Sequence, residues 1–289
     1  MRTNSSDSRK AKAMLTLSRV VVYIILMFLS VLCLFSFYML IINATRSNAD
    51  LQGGFRLLPQ GNFLINLKNA WTDVSINVPR GMVNSFLVAA STALVTTYFS
   101  ALTAYGLHAY DFKLKKAATT FILAVMVIPK QVSATGFVQM CYKLGWTDNY
   151  LPLILPGIAA PVVFFYMKQY MASVLPMEIV DAARVDGSGE FFTFNRIVLP
   201  MVKPALAVQL IFSFVESWNN YFLPALILNR NEMKTVPIMI AQLRSADYSK
   251  FDMGKVYMFI LLAILPVLIV YIFLSRFIIK GVTAGSVKG

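Results

Sequence analysis

Histidine is almost missing from this chain: His108 is the only one in 289 residues. That rules out clusters of imidazole ligands of the kind that hold catalytic zinc. Cysteine is nearly as scarce, with Cys33 and Cys141 alone, so there is neither a disulfide framework nor a CxxC metal pair. The pattern GxxxxGK[ST] does not occur, which excludes nucleotide hydrolysis through that phosphate-binding loop. Charge is thin as well, at 13% of residues, while 58% are hydrophobic. A soluble domain averages about 25% charged and about 45–50% apolar, so the composition is that of an integral membrane protein. Acids number 13 against 26 Lys and Arg, for a net charge of +13. A nucleic-acid partner would want that charge in a stripe on one soluble face. It sits instead in short clusters beside apolar runs, such as Lys113, Lys115 and Lys116, where anionic lipid and the orientation of membrane insertion account for it.

What the chain does have is long apolar runs. Val20 to Ile42 contains no charge, and a helix needs about 20 residues to cross a hydrocarbon core of ~30 Å. A secretory signal has an apolar region of only about 7–15 residues, so this run reads as a retained span, with Cys33 inside it as a small hydrophobe. Five more spans are expected. They are Met82 to Leu107, rich in Ala, Ser and Thr that permit close packing; Ala117 to about Ile128, kinked or interrupted by Pro129; Leu151 to Met171, with Pro152, Pro156 and Pro161 inside; Pro204 to Leu228; and Val256 to Ile279. Proline-broken helices survive at membrane depth only where protein or a water-filled cavity satisfies the freed backbone groups. That favours a transporter over an anchor.

Arg2, Arg9, Lys10, Lys12 and Arg19 precede the first span and place the N-terminus in the cytoplasm. The expected division is a cytoplasmic tail 1–19, a first helix with its outer loop 20–79, a transmembrane domain 80–280, and a cytoplasmic tail 281–289. Segments 108–116 and 172–203 then lie inside, and 43–81, 130–150 and 229–255 outside. The last outer loop is also basic through Arg230, Lys234, Arg244, Lys250 and Lys255, so the charge bias is imperfect. Gly53, Gly54, Pro59 and Gly61 give the first outer loop an irregular look. Residues Thr235 to Arg244 suit a short helix lying at the interface, and His108, where a span meets a basic loop, suits an interfacial side chain.

The most telling inner segment is Asp181-Ala182-Ala183-Arg184-Val185-Asp186-Gly187, followed by Ile197-Val198-Leu199-Pro200. Pro176 is suited to starting a short helix, since its missing N–H costs nothing in the first turn. Met177 to Val185 continue it, and Gly187 supplies the positive φ that ends it. Ala182 and Ala183 keep one face low for close approach, while Glu178, Asp181, Arg184 and Asp186 offer charge for register. Phe191, Phe192 and Phe194 would lie on the membrane or against the bundle. On the residues alone, a docking helix and a solvated amphipathic connector both remain open.

The segment resembles the EAA motif of ABC importer membrane subunits, with Asp181 for the usual Glu, one methylene shorter. Asn84-Ser85, Ala104-Tyr105-Gly106, Ile128-Pro129-Lys130-Gln131-Val132, Leu144-Gly145-Trp146-Thr147-Asp148, Ser217-Trp218-Asn219-Asn220 and the run Gly281 to Gly289 are similar to carbohydrate-type permeases. That terminal run resembles the G-subunit branch of maltose-type permeases more than the F-subunit branch. The resemblance implies an all-α integral membrane protein with six transmembrane helices and a type I ABC importer-like permease fold. It also implies a second permease subunit, two cytoplasmic ATPase subunits that carry ATP and Mg, and an extracytoplasmic sugar-binding protein; this chain would bind no cofactor and would not be the enzyme. Glu178, Asp181, Ala182, Ala183, Arg184, Asp186 and Gly187 become the expected ATPase-coupling residues.

Glu216-Ser217-Trp218-Asn219-Asn220-Tyr221 interrupts the fifth apolar run. Counting from Pro204, Glu216 falls about 18 Å into the span, where ionisable groups are costly and mark function. Glu, Asn and Trp match sugar hydroxyls and a flat sugar face, so Glu216, Trp218, Asn219, Asn220 and Tyr221 are the expected substrate path. An interhelical hydrogen-bond clamp is the other reading. Two further readings of the whole chain stay open: a secondary transporter coupled to protons or sodium through Glu216, and a membrane scaffold.

Overall fold

The computed structural model describes residues 5–245 and 252–286, so Arg244 and Lys250 of the last expected outer loop and the final residues of the C-terminal run lie outside the described side chains. In chain order the helices are α1 (Ser5–Ala44), α2 (Asn48–Gln52), α3 (Phe63–Trp71), α4 (Val78–Ala109), α5 (Lys115–Val125), α6 (Lys130–Lys143) and α7 (Leu151–Ile154). A 3₁₀ turn, Leu155–Ile158, leads to α8 (Pro161–Val174), α9 (Met177–Val185) and α10 (Glu190–Thr193). A π-helical turn, Phe194–Val198, precedes α11 (Leu199–Met201), α12 (Lys203–Trp218), α13 (Phe222–Ile227), α14 (Val236–Ser245) and α15 (Met253–Ser286).

Two compact units divide the chain, one holding residues up to Ala70 together with the stretch ending at Leu261, the other running from Trp71 to Ala246 and resuming at Leu262. In the first, α1 is apolar on every side from Val20 onward, and along its membrane-length stretch, Met14–Ala44, only Ile42 and Ala44 at the far end are buried. A helix that is hydrophobic all round and covered by no protein is built for lipid. Beyond it the loop is more ordered than its glycines suggest, because α2 and α3 flank residues 53–62. Arg46, fully buried, donates to Asp50 O and Gly54 O and to Asn43 Oδ1. Asn66 Nδ2 donates to Ala44 O and Arg46 O at 2.8 and 2.9 Å.

In the second unit α4 is the central element, packed along α8 and α12. From Ala89 to Ala104 its buried residues are all small or β-branched: Ala89, Ala93, Thr96, Thr97, Ser100, Ala101 and Ala104. Gly157 comes so close that a Cβ there would sit 2.5 Å from Thr96 Oγ1. The inner core joins Ala101, Ala104 and Tyr105 to Phe164, Met167 and Met171 of α8, Val180 of α9, and Phe194 and Val198.

Among the described residues, four helical stretches are long and apolar enough to cross a membrane: Met14–Ala44, Val78–Ala109, Leu151–Val174 and Met253–Phe273. Two of the six expected spans differ. The third is split: Pro129 lacks the N–H that an unbroken helix needs, so α5 stops at Val125 and α6 starts afresh at Lys130. At 1.5 Å per residue, α5 is about 16 Å long, half a hydrocarbon core. Residues 130–150, expected as a loop, therefore contain a 14-residue helix. The fifth enters through an 85° bend between Glu190–Met201 and Lys203–Trp218 and ends at Trp218, with α13 following a three-residue break. The helix expected at 235–244 is α14, and it does more than rest at a surface. Val236, Ile238, Met239 and Leu243 are buried, and Val236 N donates to Ser85 Oγ of α4 at 2.8 Å.

Candidate coupling helix and path segment

Helix α9 begins as its residues dictate. Pro176 takes the cap position with ψ 138, Glu178 sits in the first turn and Arg184 in the last, matching the positive and negative ends of the helix dipole. Gly187 has φ +80. Its N–H donates to Arg184 O and that of Ser188 to Ala183 O, at 3.0 and 2.9 Å. This is a Schellman closure, in which a left-handed residue satisfies the last carbonyls.

The helix has two apolar stripes and only one is used internally. Val180 and Ala183 face inward at 0% and 6% exposure, whereas Val185 is 87% exposed. Ile179, Ala182 and Val185 form the outward stripe, edged by Glu178, Asp181 and Asp186. Of the expected coupling residues, Ala183 is therefore turned into the protein and Gly187 serves the turn. Ile179 and Val185 were missed, although their i, i+3, i+6 spacing with Ala182 was the available signal. Phe194 is buried, while Phe191 and Phe192 are exposed.

Arg184 is engaged within the chain. Its Nε donates to Glu190 Oε1 at 2.7 Å, Nη1 to Asp181 Oδ1 at 3.0 Å, and Nη2 to Ala109 O at 3.3 Å. The guanidinium also lies 5.4 Å from the centre of the Tyr110 ring, within cation–π range. Glu190 Oε2 accepts from Tyr105 OH at 2.8 Å. The Arg184 guanidinium holds the Glu190 carboxyl below its ordinary range, against an opposing effect of burial. His108 Nε2 lies 3.2 Å from Leu175 O, so the lone histidine joins α4 to the chain two residues before α9. Glu190 and Tyr110 carried no sequence signal, because nothing in the spacing announces a contact with the end of α4.

The path segment is divided by the helix. Trp218 is 4% exposed, stacks on Phe214 with ring centres 5.7 Å apart and donates from Nε1 to Ala263 O at 3.2 Å. Glu216, Asn219, Asn220 and Tyr221 are exposed, the last three in the break after α12. Residues 216 and 218 stand about 200° apart around a helix, which is why they cannot share a face.

At the opposite end of α4, Asn84 Nδ2 donates to Glu232 O and Lys234 O at 2.9 and 3.0 Å, and Arg80 Nε to Glu232 O at 3.3 Å. A cleft of about 740 Å³ opens there, lined by Arg80, Asn84, Tyr150, Arg230 and Glu232 among others. Asp148, at φ +51, fixes its rim by accepting from the N–H groups of Asn229 and Arg230 at 2.6 and 2.9 Å.

An all-α, multi-pass membrane protein with an exposed, rigidly tethered amphipathic helix is the class these features define. Residues 96–282 match the family described as the binding-protein-dependent transport system inner membrane component, and the chain belongs to that family. It is similar to the arabinooligosaccharides transport system permease protein AraQ of Bacillus subtilis, 34% identical with 94% of this chain and 96% of the relative covered. The trehalose/maltose transport system permease protein MalG of Thermococcus litoralis is 27% identical over 94% and 98% of the two chains. The fold of this chain is shared with a chain of a bacterial ABC transporter involved in the import of the acidic polysaccharide alginate, at TM-score 0.80 and 18% identity, with 96% of this chain and 99% of that chain covered.

Proposed function

We propose that this chain is a membrane-spanning permease subunit of an ATP-driven importer of sugars or oligosaccharides. The observation that carries this reading is the outward stripe of α9, Ile179, Ala182 and Val185 ringed by Glu178, Asp181 and Asp186. It is a preformed apolar and acidic ridge on a helix already held in place, which suits insertion into a groove of a cytoplasmic ATPase. The names of the relatives, which concern arabinooligosaccharides, trehalose, maltose, lactose and raffinose, support the cargo class. Both termini lie in the cytoplasm, as does the segment 172–203. The partners are a second permease subunit, two ATPase subunits that hold ATP and Mg, and an extracytoplasmic sugar-binding protein; this chain itself binds no cofactor. ATP binding draws α9 toward the axis and favours one global state over the other, which is what alternating access requires. Glu216, Asn219, Asn220 and Tyr221 line the sugar path, and Trp218 shapes it from behind.

The test is uptake of radiolabelled arabinotriose, maltotriose, raffinose and lactose by proteoliposomes containing the assembled transporter and its binding protein. Uptake of at least one sugar that depends on internal ATP is expected. Equal uptake driven by a proton gradient without ATP would instead establish an ion-coupled carrier. Val185→Glu should release the ATPase subunits from the purified complex.

A further inference from the structure

Among the residues expected to meet the ATPase, Arg184 is occupied within its own chain. Its three donor nitrogens reach Glu190, Asp181 and the carbonyl of Ala109. Ala109 is the last residue of α4, and the final carbonyls of a helix have no partner within it. A guanidinium there satisfies one of them and meets the negative end of the helix dipole. The second partner, Glu190, is in turn held by Tyr105 OH at 2.8 Å, one turn up the same helix. A ring contact between Tyr105 and Phe194, centres 5.5 Å apart, and the buried Val180 pack beneath this network. The tether is therefore redundant: a backbone contact, a charge-assisted side-chain bridge and an apolar floor all join α9 to the last turns of α4.

Helix α4 has no break across 32 residues, about 48 Å at 1.5 Å per residue. Its far end is tied as firmly. Asn84 and Arg80 hold the backbone of Glu232 and Lys234, and Ser85 accepts from Val236 N at the start of α14. Arg80, Val83, Asn84 and Leu87 of this end form one wall of the cleft of about 740 Å³, facing Arg230 and Glu232.

We infer that Arg184, Glu190 and Tyr105 are positioning residues that clamp the coupling helix to α4, so that α4 carries displacement of α9 to the loop at residues 230–236 and to the cleft it borders. The inference rests on the proposed ATP-driven function, which supplies the displacement. Arg184 then belongs to the transmission and not to the docking surface. A lysine could not replace it, since a single ammonium cannot span the three acceptors that the planar fork reaches.

The assembled transporter, with Cys33→Ser, Cys141→Ala and an environment-sensitive fluorophore on Asn231→Cys, is measured with and without ATP plus vanadate. ATP should change the label's emission in the unmodified clamp. Glu190→Gln, Arg184→Lys and Tyr105→Phe should each reduce that change and lower sugar uptake per ATP hydrolysed, by about fivefold or more for the first two. The exchange Arg184→Glu with Glu190→Arg should recover part of both. Undiminished emission change in all three variants would overturn the clamp, as would loss of the ATPase subunits from Arg184→Lys, which would put Arg184 on the docking surface. Should Glu190→Gln fail to assemble, the milder Tyr105→Phe decides. No ATP response in the unmodified transporter would overturn the proposed function instead.

Discussion

At the residue scale, the chemistry of this chain rests on a few polar groups whose apolar surroundings fix which partners they meet. Trp218 illustrates the consequence. Its indole is buried and its N–H goes to Ala263 O, so Trp218→Phe should cost about 0.5–1.5 kcal/mol, the worth of one hydrogen bond. A lowered melting temperature with an unchanged KM for sugar is expected, whereas direct contact with cargo would raise KM. Glu190 gives a pH prediction. Its carboxyl is held below the ordinary value of 4.5 by Arg184, so the protonated form is disfavoured in the folded chain. The stabilisation is full above pH 4.5 and is lost as pH falls through the depressed value. The gap in melting temperature between the wild type and Glu190→Gln should accordingly be constant at neutral pH and close on acidification.

At the element scale, close approach matters more than hydrophobicity, because lipid tails are as apolar as leucine and helices in a membrane associate by packing. The 3₁₀ turn Leu155–Ile158 can lie on α4 only because Gly157 faces Thr96. Gly157→Val should force the two apart and destabilise the chain by about 1–3 kcal/mol, read as an earlier midpoint in detergent melting. The same substitution at Gly136, where nothing lies within 4 Å of a Cβ, should cost less. Helix α9 shows how far element-level reading reaches. Its start at Pro176 and its end at Gly187 follow from local backbone chemistry and are visible in the sequence. Its inward face is not, because Met177-Val180-Ala183 and Ile179-Ala182-Val185 are equally good apolar stripes. Only the core around Phe194 selects the first.

At the scale of the whole molecule, the topology is directly testable. Single cysteines at Val74, 92% exposed near the start of α4, and at Lys113, just beyond its end, should react with impermeant maleimide from opposite sides of sealed vesicles. Val74→Cys is expected to label from outside. Composition and run length alone determined that this is an integral membrane protein with helix-length apolar spans, since a water-soluble core does not combine 58% hydrophobic residues with so little charge. The order of the apolar segments and the limits of α9 were likewise set by local sequence, through run length, proline and glycine. Tertiary structure alone decided that α14 would dock on α4, and which way Trp218 and Arg184 would turn. Those outcomes depend on partners distant in the chain, such as Ser85, Ala109, Glu190 and Ala263, and a contact between remote residues leaves no periodicity in the sequence to be read.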